Sequence, residues 1–97
     1  MENNNIEDDN TIYEVIFFWD HTRKDIAYKQ YCAETLCNIL GYTAPLAVKV
    51  VYEAATKNKT LVFSSRNIDK AINLRDQLNS LELSCQICPL TANSMVR

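Results

Sequence analysis

The four cysteines of this chain are the residues whose chemistry is easiest to name. Cys85 and Cys88 have the C-x-x-C spacing of zinc sites, and Cys32 and Cys37 could supply two more thiolates. The predicted elements oppose that use, because side chains three apart on a strand point to opposite faces and side chains five apart on a helix lie roughly 140° apart. We therefore expect reduced, mostly buried structural thiols and no metal site.

The other candidate catalytic groups form no recognisable constellation. His21 is the only histidine and follows Asp20, but no local signature places a serine or cysteine nucleophile beside it. The single glycine, Gly41, cannot build a phosphate-binding loop. No pair of carboxylates stands out as a general acid and base. We predict that the protein is not an enzyme and uses no cofactor.

The segment Trp19–Thr22 is the most informative one for function. It interrupts a strongly apolar run, Thr11–Phe18, with an aromatic ring and a carboxylate. Loops at strand ends often carry binding residues on a rigid scaffold. A structural role is equally open at this point, with Trp19 as a core or rim aromatic and Asp20 capping the turn.

Length and charge exclude several classes of protein. The 97 residues suffice for one domain, and the net charge is −2. Residues 1–10 hold four acids and no base and are predicted to be a disordered acidic tail. The ten bases are scattered rather than clustered, so no nucleic-acid partner is expected. No apolar run approaches the roughly 18–20 residues that cross a bilayer, and the polar start is unlike a secretory signal. We expect a cytoplasmic protein without a membrane partner.

Hydrophobic periodicity predicts a single domain over 11–90, followed by a flexible tail over 91–97. The pattern predicts six elements, in order: strand Thr11–Phe18, helix Asp25–Leu40, helix Pro45–Lys57, strand Thr60–Phe63, a helix over 68–78 and a strand over 81–87. Gly41 is placed to end the first helix, Thr43 to cap the second, and Pro89 to end the last strand. The order β-α-α-β-α-β predicts an α+β two-layer sandwich with a three-stranded antiparallel sheet covered by three helices.

These elements carry a resemblance to the ClpS family, small adaptors of ClpA/ClpC-type protease machines. It covers about residues 12–89 and rests on the order and spacing of four segments, none of them a strict signature. The segments are Ile12–Phe18 running into Trp19-Asp20, Leu40-Gly41-Tyr42 before the helix Pro45–Lys57, Val62–Ser65 before Asp69–Ala71, and the closing strand Leu83–Cys88. The C-terminal domain of the bacterial ribosomal stalk protein shares this plan and is the second candidate.

The resemblance implies recognition of a protein's N-terminal residue, in a pocket that holds an α-ammonium and a large apolar side chain. Asp20 matches the family's aspartate, whereas Trp19 stands where the family has asparagine, and Ala55 falls near the position of its histidine. The expected substrate-binding residues are Trp19, Asp20, His21, Thr22, Val51 and Ala55. Loss of the asparagine and the histidine removes two hydrogen-bond partners, each worth roughly 0.5–3 kcal/mol when buried.

The resemblance also implies a function and its partners. The chain is expected to be a monomeric, non-catalytic adaptor that delivers substrate proteins to a AAA+ Clp chaperone of the ClpA/ClpC type. The alternative is a ClpS-like or stalk-like interaction domain whose N-degron pocket is lost or changed. Its contact surface would then be the second helix, through Lys49, Tyr52 and Glu53.

Overall fold

A computed structural model describes residues 11–91, with Thr91 described by its backbone alone. Both predicted tails lie outside these residues, except Thr91, which belongs to the last strand. The chain forms six elements, in order β1 Thr11–Phe18, α1 Ile26–Leu40, α2 Ala44–Lys57, β2 Lys59–Ser65, α3 Ile68–Ser80 and β3 Cys85–Thr91. The predicted element order is confirmed.

The three strands form one antiparallel sheet in the order β2-β1-β3, with β1 in the centre. A β-bulge interrupts the pairing of β1 with β2 between Val15 and Ile16. Side chains of Val15 and Phe17 are fully buried under the helices, while the residues between them are only partly buried. The helices pack on one side of the sheet, and the predicted two-layer α+β sandwich is confirmed.

Local sequence signals explain where α1 and α2 begin and end. The Asp25 carboxylate accepts a hydrogen bond from the backbone N–H of Tyr28 at 2.9 Å and caps the start of α1. Gly41 ends α1 in the left-handed region at φ 73°, where a Cβ would be strained. Thr43 caps α2, and Pro45 follows in its first turn. The three-residue connection makes the two helices antiparallel neighbours, as it does in helical hairpins.

The last strand differs from its prediction at both ends. Residues 81–84 form a turn rather than a strand, because Glu82 takes a left-handed φ of 72° and the Asn79 side chain bonds both backbone groups of Cys85. The strand then runs past Pro89, which pairs with Tyr13. Proline is tolerated there because β3 is an edge strand and needs no N–H on its outer side.

The cysteines separate into two pairs by burial. Cys32 and Cys85 are buried among apolar side chains, so the predicted structural role is confirmed for them. Cys37 is half-buried and Cys88 is exposed, which the prediction of buried thiols missed. Burial raises the pKa of the Cys32 thiol to about 11 and that of Cys85 to about 12. Residues 11–91 hold no group of three or more potential metal ligands.

Candidate functional site

Among the described residues, a groove of about 510 Å³ lies between α1 and α2. Small side chains create it, since Ala33 and Cys37 on α1 face Ala44 near the start of α2. Larger residues at these positions would fill the space between two neighbouring helices. The groove therefore results from the small side chains at these three positions. The short connection between the helices keeps α1 and α2 beside each other.

The groove has an apolar floor and a mixed rim. Val51 is buried at its base, and Ala33 and Cys37 are half-buried beside it. The rim carries two large exposed side chains from α2, Val48 and Tyr52, at 61% and 67% exposure. The α1 side of the rim is polar and consists of Lys29, Gln30 and Glu34. The floor can bury an apolar side chain of a ligand. The Glu34 carboxylate and the Lys29 ammonium group of the rim would then lie near the polar groups of that ligand.

Two tyrosines of α1 hold this helix in place on the side away from α2. The Tyr28 hydroxyl donates to the carbonyl of Glu82 at 2.9 Å, and the Tyr31 hydroxyl donates to that of Leu81 at 2.8 Å. The Arg23 guanidinium lies 3.9 Å from the centre of the Tyr28 ring. Burial raises the pKa of the Tyr28 phenol, so it stays a neutral donor. These contacts tie α1, and with it one wall of the groove, to the turn before β3.

Trp19, a predicted substrate-binding residue, lies in the hydrophobic core. Its exposure is 8%, and its ring contacts Phe17 edge-on at 6.0 Å and Tyr28 at 5.3 Å between centroids. Its backbone N–H donates to the carbonyl of Asn58 at the end of α2, at 2.9 Å. Of the two roles left open for this residue, the structure places the indole in the core position, where it packs against Phe17 of β1 and Tyr28 of α1.

Asp20, His21 and Thr22 are exposed and form a tight turn. The Asp20 carboxylate accepts hydrogen bonds from the Thr22 hydroxyl at 2.6 Å and from its backbone N–H at 2.9 Å. These two bonds hold the pKa of Asp20 below its usual range, so the carboxylate is ionised at neutral pH. None of the three side chains lines the groove. The structure therefore separates this turn from the apolar cavity.

The remaining predicted residues all lie on α2, in different surroundings. Val51 and Tyr52 line the groove, and Ala55 packs against the core about one turn further on. Lys49 is exposed outside the groove lining. The Glu53 carboxylate accepts a hydrogen bond from the Thr60 hydroxyl of β2 at 3.3 Å, so it is partly engaged.

Sequence reasoning missed the α1 side of the groove altogether. Lys29, Ala33, Glu34 and Cys37 recur at helical spacing, which was visible in the sequence. Their convergence with Val48 was not visible, because it depends on how the two helices cross. The sequence did offer one signal for the groove, namely small residues on the two helices that flank a short connection.

Comparisons with known proteins now bear on the class of protein. No protein-family model matches the sequence, and no curated protein matches it. Thirteen chains of solved structures match the fold. One is Agrobacterium tumefaciens ClpS2 bound to L-phenylalaninamide, with a TM-score of 0.60, 13% sequence identity, and coverage of 84% of this chain and 98% of that chain. The chain therefore has a ClpS-like α+β fold. None of the helices over 11–91 has the length and apolar character needed to cross a bilayer.

Proposed function

We propose that this protein is a non-catalytic adaptor of the ClpS type, which binds an apolar side chain of a protein substrate in the groove between α1 and α2. The observation that carries the proposal is the presence of this groove on a ClpS-like fold. Its apolar floor supplies affinity through burial, and its polar rim supplies orientation. The partners proposed are substrate proteins and a AAA+ Clp chaperone in the cytoplasm.

The ligand of the solved neighbour defines the chemistry to test. L-Phenylalaninamide combines a free α-amino group, an amide and a phenyl ring, as an N-terminal phenylalanine does. In this chain Val48 and Tyr52 stand beside the cavity that would take the ring. An ammonium group needs a carboxylate partner once it is shielded from water. Asp20 is the partner that the resemblance implies, and Glu34 is the carboxylate that lines the groove itself.

Isothermal titration calorimetry with L-phenylalaninamide tests this proposal directly. We expect saturable binding that is lost with N-acetyl-L-phenylalaninamide, in which the amine carries no charge. Val48→Glu should abolish binding because it places a charge at the rim of the apolar cavity. Lys49→Ala is the matched control on the same helix and should bind normally, since Lys49 does not line the groove. Equal binding of the free and acetylated ligands would exclude recognition of an N-terminal residue.

Two neutralising substitutions identify the ammonium partner. Asp20→Asn and Glu34→Gln each remove one negative charge with little change in shape. The substitution that weakens binding of the free amine about tenfold marks the partner, a loss of about 1.4 kcal/mol. If neither changes the affinity, the ligand is held by its apolar group alone.

Delivery to a chaperone is a separate part of the proposal with its own test. The protein should co-purify with its host's Clp chaperone and change the degradation of proteins that bear an N-terminal phenylalanine. An unchanged degradation rate, together with no co-purification, would leave only the binding activity.

A second candidate is an interaction domain of this fold with a changed pocket, including a stalk-like role in binding a protein factor. Burial of Trp19 in the core, at the position of the family's asparagine, favours it. The proposed contact surface is then Lys49, Tyr52 and Glu53 on α2. Lys49→Glu with Tyr52→Ala should abolish partner binding while leaving the fold intact, and unchanged binding would exclude this surface.

A further inference from the structure

Among residues 11–91, no helix covers the face of the sheet opposite α1, α2 and α3. Along β1 the residues that alternate with Val15 and Phe17 are Ile12, Glu14, Ile16 and Phe18, and all four are partly exposed. Strand pairing adds two more apolar residues, because Leu61 lies opposite Ile16 and Leu90 lies opposite Ile12. We call this surface the open face; its apolar residues are Ile12, Ile16, Phe18, Leu61 and Leu90.

None of these five side chains belongs to the core cluster under the helices. Leu61 is 46% exposed although it lies in a strand. Glu14 and the residues opposite it, Ser64 and Cys88, separate Ile12 and Leu90 from Ile16, Phe18 and Leu61, so the open face carries two apolar groups. Apolar groups exposed on an uncovered sheet face are a feature of interaction sites. The groove between the helices lies on the other side of the sheet, so the open face is independent of the proposed adaptor site.

The charges on the open face form a simple pattern. Glu14 and Lys59 are the only charged residues of the three strands as described. Glu14 lies between Ile12 and Ile16, whereas Lys59 pairs with Phe18 and holds its Nζ 5.9 Å from the centre of that ring. The positions of Glu14 and Phe18 are four residues apart on β1, or about 13 Å. One end of the surface is therefore negative and the other positive.

We propose that the open face is the interface between two copies of this chain, packed sheet against sheet. Face-to-face sheets lie about 10 Å apart with their strands nearly aligned. A two-fold axis that lies between the two sheets, perpendicular to the strands and above Ile16, makes the strands of the second copy run in the opposite direction. Each Glu14 then lies over Phe18 and Lys59 of the partner subunit, so opposite charges meet twice.

The charge pattern also favours this two-fold axis over one that runs parallel to the strands. A two-fold axis parallel to the strands and above β1 would stack each Glu14 on Glu14 of the partner subunit, while Lys59, which lies on the neighbouring strand β2, would pair with neither Glu14. Like charges brought together across an interface are costly. The same pattern favours a second copy over an unrelated protein, because the surface is complementary to itself. The proposed dimer is an alternative to the monomer expected from the sequence.

Sedimentation velocity of the full chain over a wide concentration range tests the proposal. We expect a monomer–dimer equilibrium that shifts to monomer in Leu61→Glu, a change at an exposed edge position that the fold tolerates. Glu14→Lys and Lys59→Glu should each raise the dimer dissociation constant about tenfold, because each turns two attractive pairs into two repulsive ones. The double variant Glu14→Lys/Lys59→Glu should restore dimerisation. Asp69→Lys on α3 is the matched control and should have no effect.

Three results would overturn the proposal. The first is a monomer at every concentration, which would also be the outcome if another protein, or a part of the chain outside 11–91, covered this face. The second is a dimer that persists in Leu61→Glu. The third is a failure of the double charge exchange to restore what each single exchange removes, with circular dichroism showing that all variants are folded.

Discussion

Replacing Trp19 with asparagine, the residue that the resemblance to the ClpS family implies at this position, should destabilise the protein severely. The indole is 8% exposed and packs against the rings of Phe17 and Tyr28. Burial of a tryptophan removes about 200 Å² from water, which is worth about 5 kcal/mol at ~25 cal/mol per Å². This is an upper value, because the denatured chain is itself partly compact. We expect a loss of about 3–5 kcal/mol in the free energy of unfolding, as for other large-to-small core substitutions.

Urea denaturation followed by far-ultraviolet circular dichroism measures this loss, since Trp19 is the only tryptophan and its fluorescence disappears with it. With a urea dependence of about 1–2 kcal/mol per molar, the midpoint should fall by about 2 M or more. Tyr52→Asn is the matched control. Tyr52 is 67% exposed, so its removal should change stability by no more than about 0.5 kcal/mol.

A loss below about 1 kcal/mol in Trp19→Asn would refute the assignment of the indole to the core. It would mean that removing the ring leaves no destabilising cavity, as expected if the ring fills a pocket that can also hold a ligand. Binding of L-phenylalaninamide by the variant, where the native chain does not bind it, would support that reading. A large loss of stability without any gain of binding is the expected result.

Three further predictions concern the thiols and the turn before β3. At neutral pH iodoacetamide should modify Cys88 at least tenfold faster than Cys85, read by mass spectrometry, because only Cys88 is exposed; comparable rates would contradict the packing. The buried thiols should leave stability unchanged below pH 9 and lower it as pH rises from 9 towards 12. The unfolded thiols ionise near pH 9.0, whereas burial raises the pKa of Cys85 to about 12, and Cys85→Ala should show a shallower fall in urea denaturation. Asn79→Ala should cost about 1–3 kcal/mol by the same assay, since it leaves the backbone N–H and carbonyl of Cys85 without their partners, while a loss like that of exposed Ser80→Ala would contradict this.

Because one fold can serve several functions, the function of this chain depends on particular side chains rather than on its ClpS-like architecture. At 13% identity the comparison shows a shared fold and carries no site residue over to this chain. The Asp20 carboxylate, which the resemblance implies as the ammonium partner, accepts hydrogen bonds from Thr22 and lies outside the groove. Variants of Asp20, Glu34 and Val48 therefore separate a retained N-terminal pocket from a changed one.

Most of the local structure was accessible from the sequence because its signals are local. The apolar run Thr11–Phe18 forms β1 with the predicted bounds. Gly41, Thr43 and Pro45 mark the end of one helix and the start of the next through backbone geometry alone. The last strand was misplaced because its start depends on a long-range arrangement around Asn79, and its end depends on β3 lying at the edge of the sheet.

The order of strands and helices and the α+β class were determined by residue periodicity, since that periodicity reflects which side of each element avoids water. The helix boundaries around Gly41, Thr43 and Pro45 were determined by residue type. The tertiary structure alone decided that Trp19 is buried between Phe17 and Tyr28, that Ala33 and Val51 share a groove, and that Glu14 and Lys59 share an open face. These facts depend on the crossing of helices and the register of strands. Both are set by packing between residues far apart in the chain, which no local pattern encodes.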